Sequence, residues 1–202
     1  MNTVFLISPA RCGGKRAEML ARSRSSELGQ QLQDGGARIG DVFAWLSALY
    51  FRGKLTYARR FAAPPGALAG ALVMAPGVGL RDADARITAA ELGAMGAIDV
   101  ESAAFVRPLR RDAAVVNQRC GGGARIVLLG SIATGKYVDT LLEVFGTRLL
   151  FPESFVGRGD MSRGGLMLRC AADRQELSYI PVAGAIVNGK RPPKLAPRRY
   201  AT

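Results

Sequence analysis

Short apolar runs alternate along the chain with segments of helical periodicity. Val4-Phe-Leu-Ile7 stops at Ser8-Pro9, Ala71-Leu-Val-Met-Ala75 stops at Pro76-Gly77, and residues 125 to 130 and 148 to 151 repeat the pattern. Continuous apolar runs bounded by turn residues predict strands buried on both faces of a parallel sheet. Residues 176 to 182 predict a fifth strand. Between the runs, residues 17 to 33 predict a helix broken near Ser23 to Ser26, with Ser26 capping its second half and Gly35-Gly36 ending it. From Asp41, a predicted N-cap, to Phe61 the positions Val42, Phe43, Trp45, Leu46, Leu49, Tyr50 and Leu55 recur at helical spacing. Thr88-Ala-Ala-Glu91 is a capping-box signature, residues 102 to 120 predict a helix with Pro108 near its first turns, and residues 137 to 145 predict another with Leu141, Leu142 and Val144 inside. The alternation predicts an α/β fold: a single domain over residues 1–185, with a mostly parallel central sheet flanked by helices, and a basic, proline-rich tail over 186–202.

Composition adds a constraint on partners. The chain has 202 residues, 49% of them apolar, enough for a real core. Lys and Arg outnumber Asp and Glu 28 to 16, a formal charge of +12, which is the footprint of a protein that meets a polyanion. An Arg-rich composition without such a partner is the alternative. The complete lack of histidine rules out Ser-His-Asp triads, Cys-His pairs and HExxH metal sites. Cys12, Cys120 and Cys170 are widely spaced and make no CxxC, which predicts neither disulfides nor a zinc knuckle, and no metal or other cofactor is expected. The opening apolar run is too short for a signal peptide and no stretch is long enough to span a bilayer, so the expectation is a cytoplasmic protein without a membrane partner. The oligomeric state stays open.

The chemistry concentrates in loops after strands. Gly130-Ser-Ile-Ala-Thr-Gly-Lys136 satisfies the GxxxxGK part of a phosphate-binding loop, but Tyr137 stands where a Ser or Thr must bind magnesium. A nucleotide triphosphatase is therefore disfavoured, and a solvated turn is the plainer alternative. Gly157-Arg-Gly-Asp-Met-Ser-Arg-Gly-Gly165 predicts a second anion-binding loop, with Arg158 and Arg163 as phosphate clamps around Asp160 and Ser162. Asp160 suits stabilisation of a cationic sugar or activation of water; its other reading is a helix N-cap. Residues 50 to 60 interleave Tyr50, Phe51 and Tyr57 with Arg52, Lys54, Arg59 and Arg60, the composition of a surface that stacks bases and grips phosphates. Phe51 and Leu55 are expected inside, leaving Arg52, Lys54 and Arg59 exposed. Cys12 reads as a small buried thiol more readily than as a nucleophile, because no base accompanies it.

Val4-Phe-Leu-Ile-Ser-Pro-Ala-Arg11 resembles the Leu-Ile-Ser-Pro-Ala-Lys opening of the YaaA family of bacterial DNA-binding, oxidative-stress proteins. Its shorter relatives are similar in following the first strand with a cationic segment such as Leu49-Tyr-Phe-Arg-Gly-Lys54, and the order of elements looks similar over residues 3 to 165. Such domains resemble, more distantly, the uracil-DNA glycosylase superfamily, whose parallel sheet holds a flipped base at its strand ends. The Asn-Pro or Asp-Pro of that superfamily's first loop corresponds to Ser8-Pro9, and its later His motif has no counterpart.

These readings converge on a protein that binds double-stranded DNA and acts on an extruded nucleobase, as an N-glycosylase of damaged or modified, including phage-type, bases. In this reading Arg11, Lys15, Arg16, Arg52, Lys54, Arg158 and Arg163 hold the backbone; Tyr50 or Tyr137 stacks on the base; and Ser8, Ser131 and Ser162 bond its edge or sugar. Asp160 stabilises the oxocarbenium-like transition state by analogy with glycosidase carboxylates, and Lys136 is a candidate backbone contact or Schiff-base nucleophile. The alternatives are a non-catalytic DNA-binding protection protein and an enzyme of nucleotides or phosphosugars.

Overall fold

In the computed structural model, residues 1–133, 135–186 and 189–197 are described, Lys136 by its backbone alone. The fold is α/β, with a six-stranded central sheet in which the parallel strands β1 (Thr3–Ile7), β3 (Ala71–Ala75), β6 (Arg125–Leu129) and β7 (Leu149–Pro152) form the middle. Two antiparallel strands close the edges: β4 (Gly79–Asp82) folds back on β3, and β8 (Tyr179–Pro181) pairs with β7. All five residues of β1 and of β3 are buried, as their uninterrupted apolar sequences require. Two-residue strands β2 (Ala37–Arg38) and β5 (Arg86–Ile87) form a separate antiparallel ribbon.

The helices enter as their local signals dictate. After α1 (Lys15–Arg22) the chain breaks, and Ser26 caps α2 (Glu27–Gln33) by accepting from the Gly29 N–H at 3.2 Å. The capping box of α4 (Ala89–Gly96) is complete, with Glu91 reaching back to the Thr88 N–H at 2.7 Å. α5 (Ala103–Cys120) carries Pro108 inside, and α6 (Gly135–Phe145) buries Val138, Leu141 and Phe145 but leaves Leu142 and Val144 half-buried. Asp41 falls in the first turn of α3 (Ile39–Phe61), not at its cap, which is Arg38.

Two departures from expectation shape the site. β4 and the β2/β5 ribbon have only two to four residues each, below the length at which alternation is readable. The glycine-rich segment 157–165, expected as one loop, is loop only over its first three residues; from Asp160 it is α7 (Asp160–Asp173), with Gly159 at the N-cap. Gly164 is a helix-packing residue. A Cβ on Gly164 would stand 2.8 Å from Leu49 O, and one on Gly53 would stand 2.6 Å from Gly164 O, so α3 and α7 cross with their backbones touching.

The parallel strands lie in the order β3-β1-β6-β7. The connection leaving β1 passes to β3 on one side, and the next returns across β1 to β6 on the other. This reversal falls at the carboxyl ends of β1 and β6, the position where open α/β sheets have their ligand-binding crevice.

Candidate functional site

Ser8 and Gly130 sit at the two strand ends that flank this crevice, and α3 and α7 close over them. The centre is Lys54, on the α3 turn that crosses α7. Its side chain is only 2% exposed. The Nζ donates to Ser8 O at 2.9 Å and to Ser8 Oγ at 2.8 Å, and stands over the rings of Tyr50 at 4.6 Å and Phe51 at 4.8 Å. Burial pulls its pKa down from 10.5 to about 7, opposed by the negative charge of Asp160.

Tyr137 completes the cluster from the first turn of α6. Its hydroxyl donates to Ser131 O at 2.9 Å and lies beside Ser8, and burial raises its pKa. Gly130 lies beneath: a Cβ there would meet Tyr137 Oη at 2.8 Å and Ser8 Oγ at 3.0 Å. The side chain that stands where a magnesium-binding hydroxyl would be thus folds back onto the start of the loop.

From α7, Asp160 and Arg163 face the same group. Asp160 is the first residue of the helix, its side chain 64% exposed and 3.7 Å from Arg163 Nη1, and its charge acts on Lys54, Tyr50 and Tyr137. A carboxylate in a first helical turn is favoured by the dipole. Arg163 donates Nε and Nη2 to Phe155 O at 3.2 and 3.0 Å. The Tyr50 hydroxyl is buried without a hydrogen-bond partner of proper geometry among the described residues; burial pushes its pKa up, and Arg163 beside it pulls the other way. The backbone at Ala48, two residues before Tyr50, has φ 46° and ψ −126°, a conformation that costs a side-chain-bearing residue about 1–3 kcal/mol.

The expected site residues separate into groups. Ser8, Tyr50, Ser131, Tyr137, Asp160 and Arg163 come together. Lys54 joins them and corrects the expectation of an exposed phosphate contact: buried and bonded to Ser8, it does not face a nucleic-acid backbone. Tyr137, buried with its hydroxyl bonded inward, is not a free stacking platform. Arg158 and Arg163 are not open clamps, since Arg158 donates to Ser154 O, Ser162 Oγ and, from the C-terminal segment, Pro193 O, while Arg163 holds Phe155 O. Ser162 is accordingly Arg158's acceptor. Arg11, Lys15, Arg16 and Arg52 are exposed, with Arg16 donating to Trp45 O at 2.7 Å and lying over its ring. The side chain of Lys136 lies outside the described residues.

A cleft of about 530 Å³ opens beside the loop after β1, lined by Arg11, Cys12, Gly13, Pro76 and Met95 among others, but not by Ser8, Lys54 or Tyr137. Cys12 there is a buried thiol whose pKa burial pushes up to about 12. Among the described residues no group of His, Cys, Asp and Glu could hold a metal ion, and no helix is long and apolar enough to cross a membrane.

The burial of Lys54 is what the sequence pattern alone did not convey. Residues 51, 54, 55 and 58 share the i, i+3, i+4, i+7 stripe of α3, and Phe51, Leu55 and Ala58 are all buried. A lysine inside that stripe was the available signal. Comparison with protein-family models, with curated proteins and with solved structures returned no match.

Proposed function

We propose that the protein binds DNA and acts on an extruded nucleobase at the β1/β6 crevice, hydrolysing the N-glycosidic bond of a damaged or modified base to leave an abasic site. The observation that carries this reading is Asp160: an exposed carboxylate at the rim of a polar cluster, placed by a helix start at the switch point of a parallel sheet in a chain of net charge +12. A carboxylate so placed suits the positive charge that develops at C1′ as the base departs. Arg11, Lys15 and Arg52, exposed around the loop after β1 and along α3, supply the sequence-independent grip. No cofactor is required.

A second reading has its own observation. Ser8, Lys54 and Tyr137 are 6%, 2% and 7% exposed, and a closed cluster favours a DNA-binding protection protein without catalysis. The two readings separate on duplexes carrying normal, deaminated, alkylated or bulky phage-type bases. Alkali-labile sites that depend on Asp160 support the glycosylase. Salt-sensitive binding without abasic sites on any substrate leaves the binding protein.

A further inference from the structure

Buried lysines are ordinarily ion-paired, because an ammonium group taken from water needs a compensating charge. Among the described residues, no carboxylate is in hydrogen-bond contact with Lys54. Its two acceptors belong to one residue, Ser8, and aromatic rings cover the rest of its Nζ. The Ser8 carbonyl aims the nitrogen, and the Ser8 hydroxyl lies within proton-transfer distance of it. The Tyr137 hydroxyl, which donates to Ser131 O, lies beside Ser8 over Gly130. The Lys54–Ser8 contact works in both protonation states: with Lys54 charged, Nζ–H donates to Ser8 Oγ, leaving the Ser8 proton free to turn to the neighbouring Tyr137 oxygen; with Lys54 neutral, its lone pair receives the Ser8 proton.

We propose that Ser8, Lys54 and Tyr137 form a hydroxyl-activating relay in which Lys54 is the proton acceptor and Ser8 the hydroxyl made reactive. In the N-glycosidic reading, on which this extension rests, Ser8 takes a proton from the attacking water as it passes its own to Lys54. The water oxygen bonds C1′ while the C1′–N bond breaks, and the base leaves with that electron pair and regains a proton from the relay. Hydroxyl activation by a neighbouring base is the general route to a reactive serine. Among the described residues, the titratable groups around Lys54 are Asp160 and Arg163 from α7, Tyr137 from α6 and Tyr50 from its own helix. Of these, Asp160 is the carboxylate that steadies the ammonium formed.

Methanesulfonyl fluoride tests the relay without a DNA substrate. The Ser8 Oγ–S bond forms, the S–F bond breaks, fluoride leaves and Lys54 holds the serine proton. Peptide mapping should place the adduct on Ser8, with a rate that climbs about tenfold per pH unit up to about pH 7 and then levels. Lys54→Met should slow labelling on the order of 100-fold. The pH profile of the unaltered protein decides the matter should that variant fail to fold, and Gly130→Ala, which crowds Ser8 and Tyr137, should also slow labelling. No adduct at Ser8, a flat profile, or equal labelling of folded Lys54→Met overturns the relay. Labelling without abasic-site formation would leave the relay standing and sink the glycosylase reading; abasic-site formation without labelling would do the reverse.

Discussion

Replacing Lys54 by methionine should stabilise the protein at and below neutral pH. The folded state lowers the Lys54 pKa from 10.5 to about 7, so below pH 7, where both states are protonated, its burial costs about 5 kcal/mol. Methionine of similar length removes that cost but leaves Ser8 O and Oγ without their donor, a penalty of about 1–3 kcal/mol. The expected net gain at pH 6 is about 2–4 kcal/mol, in line with buried charges replaced by apolar groups. The pH dependence is the sharper signature. Between the folded and unfolded pKa values the unfolded chain binds the extra proton, so stability rises with pH from about 7 towards 10.5. From pH 6 to 8.5 this one group should add about 2 kcal/mol to the unaltered protein and nothing to Lys54→Met. Urea unfolding of both proteins at the two pH values gives the double difference, in which other titrating groups cancel. A stability difference that does not change with pH would refute the account of Lys54 as a desolvated amine with a near-neutral pKa.

Other perturbations test the frame around it. Gly53→Ala or Gly164→Ala drives a methyl into backbone at the α3/α7 crossing and should destabilise by about 2–4 kcal/mol in thermal or urea unfolding. Ala48→Gly relieves a positive φ and should raise stability by about 1 kcal/mol, measured the same way. Asp160→Ala, at an exposed first-turn position, should change stability by under about 1 kcal/mol while lowering abasic-site formation by on the order of 100-fold or more. Reversing Arg11, Lys15 and Arg52 to Glu should weaken DNA binding at every sequence and flatten its salt dependence by about one unit of slope for each phosphate no longer neutralised, read by fluorescence anisotropy.

The sheet was legible because its four parallel strands are continuous apolar runs ended by Gly, Pro or Ser, and the helices α2 and α4 because Ser26, Thr88 and Glu91 write their caps in the sequence. The short ribbons were not, since two residues carry no period. The site was legible in its members more than in its arrangement. Ser8 and Gly130 follow from strand ends, but the burial of Lys54 depends on α7 lying on α3, a crossing set by Gly53 and Gly164 about 110 positions apart. Glycines in 157–165 read as an anion-binding loop when one of them provides helix packing, and arginines read as phosphate clamps when their donors go to Phe155, Ser154 and Pro193 carbonyls. Composition records which groups exist; only packing records which are already satisfied.

The proposed reaction is cleavage of a base from DNA at the β1/β6 crevice with Asp160 at its rim. Duplexes carrying individual modified bases, incubated with the protein and then treated with alkali, test it most directly. The account predicts strand breaks at one class of modified base with the unaltered protein and their loss with Asp160→Ala at unchanged DNA affinity. Intact strands for every base, or breaks that persist in Asp160→Ala, would contradict it.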